Sequence, residues 1–100
     1  LPRRRADKID NNQRAIVETL RAIPGISVET GKDDILVGYR GYTYWYEVKS
    51  PDTVSKKTGE IRESAKKTDQ KRLEHEFNGH YRIVFHVEQI LEDIGIKRGS

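Results

Sequence analysis

Asp34, Glu47 and Lys49 are the residues of this sequence whose types and spacing suit chemistry, the last two set into the end of the run YWYEVKS (44–50). Tyr44, Trp45, Tyr46 and Val48 belong on a half-buried β-strand, where burying a charge is expensive. Alternate strand residues share a face, so Trp45, Glu47 and Lys49 point one way and Tyr44, Tyr46 and Val48 the other. The preceding run DDILVGY (33–39) reads as a second strand, and Arg40-Gly41 as a two-residue hairpin loop joining the two. Tyr39 then pairs with Tyr42. Counting back, Gly38 meets Thr43, Val37 meets Tyr44, Leu36 meets Trp45, Ile35 meets Tyr46 and Asp34 meets Glu47.

Directly opposed residues have Cβ atoms about 4.5–5.5 Å apart on one face of the sheet. The spacing therefore sets two carboxylates side by side, with Lys49 one step further along. Neighbouring carboxylates repel unless a cation lies between them, and an oxygen-rich set suits Mg²⁺ or Mn²⁺. A lysine beside such a metal can orient or help deprotonate a water, or stabilise charge on a phosphate. That is an arrangement for metal-assisted phosphodiester hydrolysis. A bulge at Gly38 or Gly41 would slip the register. The same E-x-K spacing also fits an ordinary surface salt bridge, although Trp45 on that face argues for partial cover.

The elements that must position these residues follow from periodicity. Residues 1–8, LPRRRADK, read as a frayed basic arm, with Arg3, Arg4 and Arg5 solvated or touching phosphates. From Asp10 the pattern turns helical: Ile9, Ile16, Val17, Leu20 and Ile23 form one apolar stripe, capped by Asp10 or Asn11 and stopped by Pro24-Gly25. Gln13 falls inside that stripe and needs a polar partner. ISVET (26–30) reads as a short first strand. Residues 51–63 lack an apolar period and carry Pro, Gly and many charges, so a mobile loop is expected. A helix follows from about Ser64 to Phe77, its apolar side thin, with Lys66 and Gln70 close to it. YRIVFHV (81–87) is a strand, EQILEDIG (88–95) a short last helix, and residues 96–100 a tail whose end reads as a cloning remnant. The order helix, three strands, helix, strand, helix predicts an α/β fold, with a central mixed sheet flanked by helices, in one domain over residues 9–95.

Composition narrows the classes. With 34% apolar and 35% charged residues, the core must be small and the surface highly charged, which disfavours a large cavity-forming enzyme. The absence of cysteine excludes disulfides and thiolate zinc sites and makes a cytoplasmic protein the expectation. No apolar run approaches the roughly 18 residues of a membrane span, and no signal-peptide pattern is present. The net charge of +3 is compatible with a polyanionic partner. His75, His80 and His86 lack metal-ligand spacing and read as structural or surface residues. The evenly spaced Tyr39, Tyr42, Tyr44 and Tyr46 suit sheet packing better than base stacking. Lys56, Lys57, Lys66, Lys67, Lys71 and Arg72 form a basic zone that is either a solvated face or a phosphate contact, with Lys66, Lys67 and Lys71 the candidates for nucleic acid.

The stretch GKDDILVGYRGYTYWYEVKSP (31–51) resembles the core of the PD-(D/E)xK nuclease superfamily, and more closely the stand-alone VRR-NUC domains of phages and bacteria. The likeness runs from about Asn11 to Gly95 and includes the order and spacing of the elements. It implies a restriction-endonuclease-like core in which Asp34 is the first acid, Glu47 the second and Lys49 the lysine. Mg²⁺ or Mn²⁺ would sit on Asp34, Glu47 and the Val48 carbonyl. Gln13 falls where many relatives carry a glutamate, and Gln70 matches a glutamine of the later helix; both are expected to support the site. In two places the pattern departs. Asp33 replaces the usual proline and is expected to face away with little effect on the metal, while Gln13 removes a charge and leaves a second metal open. Pro51-Asp52 follows the E-x-K and is not the motif's own pair.

The activity implied is a structure-specific DNA endonuclease that leaves 5′-phosphates and acts on branched DNA such as four-way (Holliday) junctions. Paired cuts across a symmetric junction need two sites, hence a two-fold homodimer. Three alternatives stand beside it: a non-catalytic nucleic-acid-binding module of the same fold, a restriction-type or RNA-processing nuclease, and a structural accessory protein with a chance E-x-K.

Overall fold

The computed structural model describes residues 2–97, with side chains from residue 11 onward. The proposed phosphate contacts of Arg3, Arg4 and Arg5, the Ile9 and Asp10 side chains, and residues 98–100 of the tail lie outside what is described. Helix α1 spans Pro2–Arg21, so the helix takes in the stretch expected to be an arm. Proline is tolerated at a first helical position, where its missing N–H has no partner to lose. Asp10 and Asn11 therefore lie within the helix and not at its cap. Strands β1 (Ile26–Thr30), β2 (Asp34–Tyr39) and β3 (Tyr42–Val48) follow, then helix α2 (Thr68–Glu76), strand β4 (Tyr81–Val84) and helix α3 (Val87–Ile94). This is the expected order. The fold is a mixed α/β one, a single four-stranded sheet in the order β1-β2-β3-β4, with β1, β2 and β3 antiparallel and β4 parallel to β3.

The β2–β3 turn fixes the register on which the site depends. Arg40 has φ 53° and Gly41 has φ 86°, so both central residues take the positive φ of a type I′ hairpin. No bulge intervenes, and the pairs run from Tyr39 opposite Tyr42 to Asp34 opposite Glu47. On one face Val28, Ile35, Val37, Tyr46 and Val84 meet Ile16, Val17 and Leu20 of α1 and Val87, Ile90, Leu91 and Ile94 of α3 in one buried core. The other face carries Asp34, Leu36, Trp45, Glu47, Tyr81 and Ile83 by alternation. On that face α2 reaches β4, while Leu36 stays 44% exposed. No described helix is long and apolar enough to cross a membrane.

Several boundaries differ from expectation for local reasons. Strand β4 stops at Val84 because the His86 ring nitrogen Nδ1 accepts the Glu88 N–H at 3.1 Å and starts α3. Helix α2 begins at Thr68: the Gln70 side-chain oxygen Oε1 accepts the Lys67 N–H at 2.9 Å, and Glu63–Ala65 form a separate 3-10 turn. Residues 51–63, expected to be an unstructured loop, fold back on themselves. A 3-10 turn at Pro51–Thr53 leads to a bridge between Val54 and Ile61, and Arg62 donates to the Asp52 carbonyl at 3.0 Å. Ile61 is buried, so two apolar residues seven apart sufficed where no period was visible.

Asn12 ties α1 to the end of the sheet that bears the site. Its Nδ2 donates to the carbonyls of Lys49 at 2.8 Å and Phe85 at 3.2 Å, joining the first helix to the ends of β3 and β4. Truncation strands two partly buried carbonyls. Asn12→Ala is expected to lower the unfolding free energy by about 1–3 kcal/mol, read from urea denaturation with an unchanged m value.

Candidate active site

Glu47 is the anomaly from which the site is built. It sits at the end of β3 with 7% of its surface exposed, a charged residue among buried ones. Its carboxyl accepts no hydrogen bond from a described residue, and the nearest described cation, the Lys49 ammonium, stands 4.0 Å from Oε2. Burial pushes its pKa up from the ordinary 4.5 to about 7; Lys49 and Lys67 oppose that shift, while Asp33 and Asp34 add to it. The result is a carboxylate pair short of positive charge.

Asp34 is held much more firmly. Its Oδ2 accepts the Trp45 indole N–H at 2.9 Å, and its Oδ1 lies against Gly31, where an added Cβ would collide with it. The Gly31 N–H donates to the Asp34 carbonyl at 2.7 Å, and the Gly31 carbonyl accepts Gln13 Nε2 at 3.3 Å. Gln13 is thus brought to the rim of the site, 8% exposed, but its amide nitrogen supports main chain and touches neither acid. At the other end, the Val48 N–H donates to the Asp33 carbonyl at 3.0 Å and the Lys49 N–H to the Val84 carbonyl at 2.8 Å, which fixes the main chain on both sides of the Val48 carbonyl.

Helix α2 contributes unevenly. Gln70 is buried at its first turn, with its oxygen on the Lys67 N–H. Lys67 is exposed and close enough for its charge to be felt at Glu47. Lys66, expected to face substrate, is instead clamped between Glu63 Oε2 at 2.8 Å and Glu74 Oε1 at 3.1 Å. Lys71 lies half-buried one turn further along.

Three features escaped the sequence reading. Gly31 is where Asp34 packs; a glycine three residues ahead of an acid is too common to signal this alone. Trp45 sits diagonally across from Asp34 in the predicted register, within reach of an aromatic side chain, so its indole contact was available from the same count. The charge of Asp33, expected to face away, is felt at Glu47 beside that of Asp34. It lies in the bend before β2, where strand alternation does not apply.

Among the described residues no three His, Cys, Asp or Glu side chains converge. A cation here would rest on the Asp34 and Glu47 carboxylates, with the Val48 carbonyl and water making up the sphere. The chemistry of the donors fits a hard divalent ion: oxygen atoms only, and an anion pair that the protein leaves under-neutralised.

Two outcomes follow. Glu47 binds its proton more tightly folded than unfolded, so between pH 4.5 and about 7 the native state holds more protons and stability falls as pH rises. Glu47→Gln removes this cost. The variant should match the wild type near pH 4 and exceed it at pH 8 by about 3 kcal/mol at full value, on the order of 1–2 kcal/mol after solvent screening; a difference independent of pH in urea unfolding would contradict this. Gly31→Ala should displace the Asp34 carboxylate, and the single tryptophan makes this visible as an upfield move of one indole N–H resonance. The chain matches no family model, no curated protein and no solved structure in the comparisons made.

Proposed function

We propose that this chain is a divalent-metal-dependent endonuclease that hydrolyses phosphodiester bonds in DNA, on a restriction-endonuclease-like core of the VRR-NUC type. The observation that carries the reading is the pairing of Asp34 with Glu47 across β2 and β3, with Lys49 on the same face one step on. A salt bridge on a solvated face, the bland alternative, does not suit a glutamate this buried or a lysine 4.0 Å away.

Mg²⁺ or Mn²⁺, when bound, would supply charge to the scissile phosphate and acidify an attacking water. The chain's own residues do the remaining work. Trp45 and Gly31 hold Asp34 in one orientation. The Lys49 ammonium, not engaged in a close hydrogen bond with Glu47, is left to orient a water or meet a phosphate oxygen. Gln70 commits its side-chain oxygen to the helix start, which leaves its amide nitrogen free to donate. Lys67 and Lys71 supply phosphate contacts; Lys66, held by two glutamates, serves the frame of α2 and needs those pairs released to reach DNA.

The substrate class proposed is branched DNA such as four-way junctions, cut by a two-fold homodimer. Support for this part is the resemblance of residues 31–51 and the geometry of paired cuts. A second reading is a binding module without turnover, favoured by Gln13, whose amide nitrogen turns to the Gly31 carbonyl and which brings no charge to the site.

The test is cleavage of end-labelled four-way junction, linear duplex and RNA with Mg²⁺, Mn²⁺ or EDTA. Metal-dependent nicks near the branch point with 5′-phosphate ends are expected, absent in EDTA and at least about 100-fold slower in Lys49→Ala. Binding without cutting under either metal would establish the module instead. A strictly monomeric mass with and without junction DNA would remove the dimer.

A further inference from the structure

We propose that Tyr81 is a positioning residue of this site, its phenol held as the donor that fixes the ionised Glu47 carboxylate when a divalent cation is loaded; the inference rests on the metal-site reading above. Tyr81 opens β4 opposite Trp45, while Glu47 lies opposite Ile83. Tyr81 and Glu47 are therefore diagonal neighbours on the same face, within reach of an aromatic side chain. The Tyr81 hydroxyl is buried and has no hydrogen-bond partner, the one buried side-chain N or O atom among the described residues in that condition. A buried tyrosine hydroxyl ordinarily finds a partner, so an orphan points to one that arrives later.

The surroundings identify that partner as an anion. Burial raises the phenol well above its usual range, and the charges of Glu47, Glu74 and Asp34 raise it further, so the group stays protonated and can donate. Two of those three carboxylates are already served. Asp34 takes the Trp45 indole, and Glu74 takes Lys66 at 3.1 and 3.2 Å. Glu47 alone of the three accepts no hydrogen bond from a described residue, and it is the charge felt most at Tyr81. A buried phenol without a partner and a buried carboxylate without a donor among the described residues are thus diagonal neighbours on one face.

The donor is also braced. The Tyr81 ring meets Trp45 edge to face at 4.9 Å and 75°, and Trp45 meets Phe77 at 5.3 Å and 83°. One aromatic pair then serves both acids, the indole holding Asp34 and the phenol reserved for Glu47. Fixing a ligand carboxylate from behind decides which oxygen it presents to the metal, and losing such a contact typically costs 10–100-fold in metal affinity.

The experiment is Mn²⁺ titration of wild type and Tyr81→Phe without DNA, read by thermal melting and calorimetry. The ring and its packing are kept, so the metal-free variant should melt at or above the wild-type temperature, since an unpaired buried hydroxyl has been removed. Its Mn²⁺ affinity should fall by about 10-fold or more, with a correspondingly smaller metal-dependent rise in melting temperature. A metal-free melting temperature clearly below wild type would give the hydroxyl a structural role and overturn the proposal. Equal Mn²⁺ affinity in the two proteins would overturn the Tyr81 role alone. No Mn²⁺ response in wild type would remove the metal site itself, and the Tyr81 role with it.

Discussion

A pair of carboxylates forced to face each other across a β-ladder is the constraint on which the rest of this molecule depends. Asp34 and Glu47 cannot relax by sliding, because strand register has a period of two and a one-residue slip would turn Ile35, Val37 and Tyr46 out of the core. The Arg40-Gly41 turn pins the count at one end, with positive φ at both of its residues. Hydrophobic burial on one face of the sheet thereby holds an unfavourable charge arrangement on the other. Burial above all lifts the Glu47 pKa to about 7, and the neighbouring acids Asp33 and Asp34 add to the rise.

Around the pair the support is unequal, and the inequality has a chemical sense. Asp34 is locked by an indole donor and a glycine against which its carboxylate packs, and Gln13 steadies that glycine from α1. Asn12 of the same helix holds the ends of β3 and β4 together. Glu47 has burial but no donor among the described residues, with the unpartnered Tyr81 phenol as a diagonal neighbour. One acid of the pair is thus held in a single orientation, while the other is held by burial alone. The second helix packs over β4 and brings Phe77 against Trp45, while Leu36 of β2 on the same face stays 44% exposed.

Much of this is legible in the amino-acid sequence. Apolar alternation and a two-residue turn gave the pairing of Asp34 with Glu47, and the strand and helix order followed from periodicity. Gln13 and Gln70 stood out as polar residues on apolar stripes, and both are buried. What stayed hidden depended on contacts distant in sequence or on departures from regular structure. The partner of Gln13 is a main-chain carbonyl, invisible to side-chain patterns. Asp33 was assigned a direction by an alternation that does not extend into the bend before β2. Lys66 reads as a free basic residue until Glu63 and Glu74 are seen to close on it from the loop and from the helix. The fold of residues 51–63 rests on one bridge and on Arg62 reaching main-chain carbonyls, neither of which leaves a period.

The measurement that bears most directly on the paired acids is anomalous diffraction from crystals grown in Mn²⁺. One strong peak between the Asp34 and Glu47 carboxylates, within bonding distance of the Val48 carbonyl, is the result that an under-neutralised oxygen site requires. A density map with no peak there, and with the Lys49 ammonium moved in to bridge both acids, would show that the protein neutralises the pair by itself, and the metal-dependent reading would fall.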